Sequence, residues 1–154
     1  MEINSKGSYP SNALSNFSHN KFIVDGIECS SMEGFLQALK FENQEAQIIT
    51  CSLSGFDAKR KGSGRNSYWQ SKQTLWWKGK SYPRKSKDYQ LLINKAYNCM
   101  YEQSESFRNA LKASGKSTLS HSIGKNKEKE TVLTKNEFCK RLMNLRDLGL
   151  LPVN

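Results

Sequence analysis

Between Lys59 and Lys87 the chain has no acidic residue. That absence removes the local partners that would neutralise a basic surface. Ten lysines and arginines fall in these 29 positions, whereas the rest of the chain balances fourteen basic against fourteen acidic residues, so the net charge of +10 originates in one segment. Histidine is also scarce, with two residues, and the four cysteines (Cys29, Cys51, Cys99 and Cys139) form no C-x-x-C pair. Neither a metal site nor another cofactor is expected from this set, and scattered thiols fit a reducing cytoplasm. No apolar run approaches the roughly 20 residues that span a bilayer. The start, Met-Glu-Ile-Asn-Ser-Lys-Gly-Ser, has no apolar stretch before a small-residue cleavage site, so no secretory signal is expected. At 154 residues and 36% hydrophobic content, the chain should form one soluble, cytoplasmic domain with a single core and no membrane contact.

The acid-free segment also holds all three tryptophans, Trp69, Trp76 and Trp77, together with Tyr68 and Tyr82. Cations attract phosphates and aromatic faces stack on bases, so this mixture suits a nucleic acid or a nucleotide. The alternative is a solvated basic surface with the tryptophans turned into the core.

Residues 1–12, with Gly7, Pro10 and several serines, read as a flexible arm before a domain spanning 13–154. Phe22-Ile-Val24 and Ile27-Glu-Cys29 flank Asp25-Gly26, which suits the positive backbone angles of a two-residue hairpin turn. Ser30 followed by Glu33 matches a capping box and would start a helix near Ser31. Further helices are expected over about Gln44–Cys51, as a short turn over Phe56–Lys61, from near Ser86 through Met100, around Phe107–Leu111, and after the Thr134/Glu137 capping box up to Gly149. The glycine-bearing basic stretch should be loops around short elements, and Ser114–Thr131 a polar loop. The sum is an α+β fold, mainly helical, with a small hairpin.

The segment from Ser31 to Phe41 carries the most pointed pattern. On a helix, Glu33, Gln37 and Lys40 lie within about 60° of one another. Met32, Phe35, Leu36, Ala38, Leu39 and Phe41 cover most of the remaining circumference, so the polar edge faces either water or a cleft. On the first reading Glu33 is a cap and Lys40 a surface residue. On the second, a carboxylate, an amide and an amine share one site.

Other motifs fail. Gly115-Lys-Ser117 imitates the end of a phosphate-binding loop, but that pattern needs glycine at position 110, which is Ala110. Gly62-Ser-Gly64 lacks the third glycine and the preceding strand of a dinucleotide fingerprint. His121 is either a surface residue in a serine-rich loop or an acid, base or substrate contact, and no G-x-S-x-G elbow accompanies its neighbouring serines.

Taken in order, Leu14-Ser-Asn-Phe17, Val24-Asp-Gly26, Met32-Glu33 and Phe35-Leu-Gln-Ala-Leu-Lys-Phe41 resemble the NADAR family, also called YbiA-like. The likeness continues through Ala58-Lys-Arg-Lys-Gly62, Phe107-Arg-Asn-Ala-Leu111 and Leu145-Arg146, and so covers roughly Leu14 to Leu148. It implies a YbiA-like fold and an N-glycosidase. Some members of that family cleave ribosylamino-pyrimidine phosphates of riboflavin synthesis, and others remove ADP-ribose from guanine in DNA. The riboflavin-type Trp-Gly-Asp-Gly element is replaced here by His121-Ser-Ile-Gly-Lys-Asn-Lys-Glu-Lys-Glu130, and the tryptophan ahead of the middle helix by Arg84-Lys-Ser86. These departures, with the basic charge, favour the ADP-ribosyl-guanine branch. The implied substrate is ADP-ribosylated single-stranded DNA, with ADP-ribose as product and a role in reversing a toxin's modification, in a host cytoplasm if the protein is viral. A noncatalytic module binding nucleic acid or ADP-ribose is the alternative from another class.

Both enzyme branches break a bond from ribose C1 to an exocyclic amine, which requires charge stabilisation at C1 and a proton on the departing nitrogen. Glu33 and Lys40 are the expected catalytic pair, Lys40 as a Schiff-base nucleophile if burial lowers its pKa. Gln37 is expected to hold a ribose hydroxyl, and Asn16 and Phe17 to contact the sugar or base. Lys59, Arg60 and Arg84 are expected on phosphates, Trp69 and Trp77 stacked on a base, and His121 at the substrate.

Overall fold

The computed structural model describes all residues, Met1–Asn154. Short capped helices and two tight hairpins wrap one apolar core. In chain order the elements are α1 (Ser11–Leu14), β1 (Phe22–Val24), β2 (Ile27–Cys29), α2 (Met32–Ala38), α3 (Gln44–Ser52), α4 (Gly55–Ser63) and α5 (Asn66–Lys72). They are followed by β3 (Thr74–Trp77), β4 (Lys80–Pro83), α6 (Lys87–Gln103), α7 (Glu105–Ala113), a 3-10 turn (Glu128–Glu130) and α8 (Lys135–Leu148). The α+β, mainly helical architecture is the one expected, with a second hairpin in place of loops in the basic segment. No helix is long and apolar enough to cross a membrane.

Both hairpins are antiparallel ribbons closed by two residues with positive φ. Asp25 (50°) and Gly26 (79°) join β1 to β2, and Lys78 (50°) and Gly79 (86°) join β3 to β4. This is the backbone geometry that a two-residue turn needs to match strand twist. The second turn places Leu75 opposite Tyr82 and buries Leu75, Trp76 and Trp77.

Helix α2 is central because five of its seven positions are apolar or glycine and face neighbours on several sides. Met32, Phe35, Leu36 and Ala38 are buried, as is Leu39 just beyond it. Its N-cap is Ser31, whose hydroxyl accepts from Gly34 N at 3.1 Å, so the expected Ser30/Glu33 capping box does not form. The carboxylate of Glu33 is thereby free of a capping role. Thr134 and Glu137 do form the capping box expected at the start of α8.

The approach of α3 and α4 to α2 depends on small residues. A Cβ on Gly34 would stand 2.9 Å from Cys51 O, and one on Gly62 only 1.8 Å from Gln37 Oε1. The buried underside of α4 is correspondingly Gly55, Ala58 and Gly62. Residues 1–12, read above as a flexible arm, are instead stitched to the domain. Ile3 is fully buried, Ile3 N donates to Ser120 O at 2.7 Å, and Ser120 N donates to Met1 O at 2.9 Å. The sequence suggested an arm because its composition is polar; one buried isoleucine and a paired backbone outweigh that.

In an exposed helix, glycine to alanine gains about 1 kcal/mol from propensity. Gly62→Ala should show the opposite sign and lose roughly 1–3 kcal/mol, because the buried Gln37 side chain must be displaced. Urea denaturation measures it, and a stabilised variant would contradict the packing described.

Candidate active site

The polar edge of α2, with Lys40 in the turn just beyond the end of the helix at Ala38, forms the floor of a cleft of about 390 Å³. Of the residues singled out from the sequence, Glu33, Gln37, Lys40, Asn16, Phe17, Lys59 and His121 line it. Backbone geometry explains the convergence at one end: Asn16 O accepts from Glu33 N at 2.9 Å, fixing the Asn16-Phe17 segment over the first turn of α2. The Oδ1 of Asn16 accepts from the Tyr97 hydroxyl at 2.7 Å, which anchors the same segment to α6.

Within the floor, Gln37 Nε2 donates to Glu33 Oε2 at 2.7 Å. The amide expected to hold a sugar hydroxyl therefore has its donor engaged with the carboxylate, while its Oε1 is buried without a partner. Lys40 is only 6% exposed, and its Nζ donates to Asn66 Oδ1 at 2.6 Å. Burial is the main cause that lowers the Lys40 pKa to about 8; the Glu33 carboxylate opposes the shift, and Lys125 and Lys59 add to it. Burial raises the Glu33 pKa, against the Gln37 hydrogen bond and the charges of Lys40 and Lys59. The two groups are thus pushed toward each other on the pH scale. An amine with a sizeable neutral fraction faces a carboxyl that keeps its proton longer than usual, the arrangement that nucleophilic and acid–base chemistry uses near neutrality.

The opposite wall is the segment 121–135 and the start of α8. His121 sits there edge-on to Phe138, with ring centroids 5.4 Å apart, and its Nδ1 lies 2.8 Å from Ile3 O. Since a carbonyl only accepts, Nδ1 carries the proton in that contact and Nε2 is the remaining ring nitrogen. Lys125 and Lys135 also line this wall, and a 2.9 Å bond from Lys135 N to Lys125 O holds its two ends together.

Four expected contacts lie elsewhere. Trp69 is fully buried and donates from Nε1 to Asn66 Oδ1 at 3.3 Å, so it braces the Lys40 acceptor rather than meeting a base. Trp77 is buried against Phe35, with centroids 4.9 Å apart, and donates to Asp25 Oδ2 at 2.8 Å. Arg84 is 0% exposed and pairs with both carboxylate oxygens of Glu137, at 2.7 and 3.3 Å, tying β4 to α8. Burial alone would raise the Glu137 pKa, but Arg84 and the Thr134 backbone N–H outweigh it and lower it. Arg84 is thus unavailable to a phosphate. Arg60 is exposed outside the cleft and paired with Asp57 at 3.5 Å. Asn66, Lys125 and Lys135 are among the polar lining residues that the sequence pattern did not single out. Asn66 carries no pattern of its own, and the two lysines sit in a loop that reads only as polar.

Residues 8–147 match the family described as bacteriophage protein GP30.3. The chain belongs to the GP30.3 family. A relative from Enterobacteria phage T4, described as an uncharacterized 17.1 kDa protein in the Gp30-rIII intergenic region, is 41% identical over 148 residues. The match spans 96% of this chain and 97% of that protein. Among solved structures, the NMR structure of the E. coli protein YbiA aligns with a TM-score of 0.62 at 20% identity, covering 96% of this chain and 82% of that one. The GP30.3-family chain therefore has a YbiA-like fold, as the resemblance of its motifs implied.

Two measurements check the electrostatics of the floor. Lys40→Met removes a charge that is costly to bury, and should raise stability at pH 7 by roughly 1–3 kcal/mol. The sign follows from linkage: Lys40 has its pKa lowered from 10.5 to about 8, so the unfolded state binds more protons between those values. Wild-type stability gains from this group as pH rises through that window, and the advantage of the variant narrows there. A Lys40→Met protein less stable than wild type at pH 7 would refute the buried-charge cost. Separately, Glu33→Gln removes the negative charge that holds the Lys40 pKa up. The pH midpoint for acylation of Lys40, followed by peptide mass spectrometry, should move below its wild-type value near 8.

Proposed function

We propose that this protein is an N-glycosidase that hydrolyses the bond between ADP-ribose and guanine in DNA, reversing the modification made by an ADP-ribosylating toxin. The observation that carries the reading is the buried Lys40 amine, with its pKa lowered to about 8, in one cleft with the Glu33 carboxyl. The motif resemblance and the YbiA-like fold support the reaction class. The departures at 121–130 and at 84–86 favour DNA-linked ADP-ribose, and membership of a phage family fits a counter-defence role.

The chemistry uses groups already in place. The lone pair of the exocyclic nitrogen expels the ring oxygen from C1, and the N–H proton of that nitrogen passes to the oxygen as the sugar opens to a neutral imine. The neutral Lys40 amine adds to C1. Glu33 delivers a proton to the guanine nitrogen, which leaves as the free amine, and the C1–Nζ iminium remains. Water adds to this iminium with Glu33 accepting a proton, and cleavage of the C1–Nζ bond returns Lys40 and ADP-ribose, whose aldehyde recloses. Gln37 holds the Glu33 carboxyl in position, and Asn66 does the same for Lys40. His121, Asn16 and Phe17 line the space left for the sugar and base.

The volume of the cleft supports one rival. At about 390 Å³ it is near the low end of the roughly 300–1,000 Å³ typical of ligand pockets, and a ribosylamino-pyrimidine phosphate fills it more completely than an ADP-ribosylated nucleotide, most of which would lie along the rim. Incubation with ADP-ribosylated single-stranded DNA, scored by released ADP-ribose, separates the readings. Turnover that drops by about 10²–10⁴ in Glu33→Ala and in Lys40→Ala is expected. Borohydride should trap a covalent adduct on wild type and none on Lys40→Ala. Hydrolysis confined to ribosylamino-pyrimidine phosphates would favour the rival. Binding without release from either substrate would favour a noncatalytic module.

A further inference from the structure

The tryptophans expected to stack on bases are in the core, yet another aromatic and cationic surface stands at the mouth of the cleft. Helix α4 turns Gly55, Ala58 and Gly62 inward, and its opposite face carries Phe56, Lys59 and Arg60 at spacings of three and four. Phe56 is 63% exposed, a large ring left in water on an otherwise polar helix. Its ring meets that of Phe17 edge to face, with centroids 6.4 Å apart, and Phe17 and Lys59 both line the cleft. The Arg60 guanidinium lies over Phe56 at 5.1 Å and Lys59 Nζ over Phe17 at 5.8 Å. Cations continue along the chain: Lys61 and Arg65 sit over Phe41, at 5.9 and 5.6 Å, and Lys72 over Tyr68 at 5.0 Å.

We infer that the outward face of α4, from Phe17 and Phe56 through Lys59, Arg60 and Lys61, binds a single-stranded polynucleotide beside the cleft. Flat rings and a guanidinium plane offer stacking surfaces for bases, while the cations take the phosphates. A duplex hides its base faces in its own stack, so the aromatic half of this surface has nothing to hold there. An acidic peptide would satisfy the cations and leave Phe56 unused. The one acid on this face, Asp57, pairs with Arg60 at 3.5 Å with both side chains more than half exposed, a contact weak enough for a phosphate to replace. Tyr68 is not part of the platform, since Trp76 stacks on it with centroids 5.6 Å apart and Arg65 covers it at 4.1 Å.

This inference deepens the glycosidase reading and rests on it for why a strand should be delivered to the cleft, although binding is measurable without catalysis. Fluorescence anisotropy with labelled oligo-dT of about 15 nucleotides, oligo-rU of equal length and a hairpin duplex tests it at about 50 and 200 mM salt. Wild type should prefer the single strands to the duplex. Phe56→Ala should weaken oligo-dT binding at least about five-fold at both salt concentrations, the signature of a lost stack. Arg60→Gln combined with Lys61→Gln should weaken it at low salt and flatten the logarithmic salt slope by about 1.4, the value for two phosphates of a single strand. Both changes lie on exposed side chains, and thermal melting checks that each variant is folded. Oligo-rU bound as well as oligo-dT would assign the surface to the chemistry shared by DNA and RNA, and tighter oligo-dT binding would assign it to DNA. Variants within about two-fold of wild type at both salts, a preference for duplex, or full competition by polyglutamate would overturn the inference. Lys40→Ala should keep oligo-dT binding, which separates the two ideas. Binding through α4 with no hydrolysis of any substrate sinks the glycosidase reading alone. Hydrolysis without measurable strand binding sinks this surface alone.

Discussion

Lys40 is a primary amine taken almost completely out of water whose one hydrogen-bond partner is a neutral oxygen, and the packing around it holds that partner in place. Its partner, Asn66 Oδ1, is fixed by the Trp69 indole N–H, which identifies the oxygen side of that amide and fills its second acceptor position. Trp69 in turn is a fully buried core residue, so the geometry at the amine is inherited from hydrophobic packing. Were Lys40 to meet a carboxylate at hydrogen-bond distance instead, its charge would be stabilised and the neutral amine suppressed. An amide acceptor supplies direction without a compensating charge.

The small-residue contact between α2 and α4 complements this arrangement. Gly62 permits Gln37 to lie flat under α4, and Gln37 then reaches Glu33 rather than solvent. Two carboxamide side chains thus meet the two ionisable groups of the floor: Gln37 orients the carboxyl and Asn66 the amine. In this packing the Gln37 oxygen is buried without a protein partner.

Much of this was legible from periodicity. Spacings of four and seven placed Glu33, Gln37 and Lys40 on one strip, and the structure brings them to one cleft floor. The Asp25-Gly26 turn and the Thr134/Glu137 cap follow from local backbone chemistry and form as read. Capping at Ser31 instead of Ser30 was a one-residue difference in register, invisible without the Ser31 hydroxyl contact to Gly34. The β3–β4 hairpin had a signal, β-formers Thr74–Trp77 followed by Lys78-Gly79, that the surrounding charge obscured. Composition misled most where it treated Trp69, Trp77 and Arg84 by residue type. Burial decides whether an indole or a guanidinium meets a ligand, and burial depends on contacts distant in sequence, such as Arg84 with Glu137. Asn66, 26 residues beyond Lys40, was unreadable for the same reason.

The pairing of the first residues with the loop after α7 bears on how the cleft comes into being. Ile3 and His121 meet across 118 positions, and the Glu2 carboxylate holds the Ser122 backbone and hydroxyl, each at 2.8 Å. During synthesis the first segment emerges long before its partner, so this pairing closes only when most of the chain is available. The floor with Glu33 and Lys40 is built from α2 and α5, whereas the wall bearing His121 is tied down by a contact that spans most of the chain. The wall of the cleft therefore depends on one of the longest-range pairings in the fold.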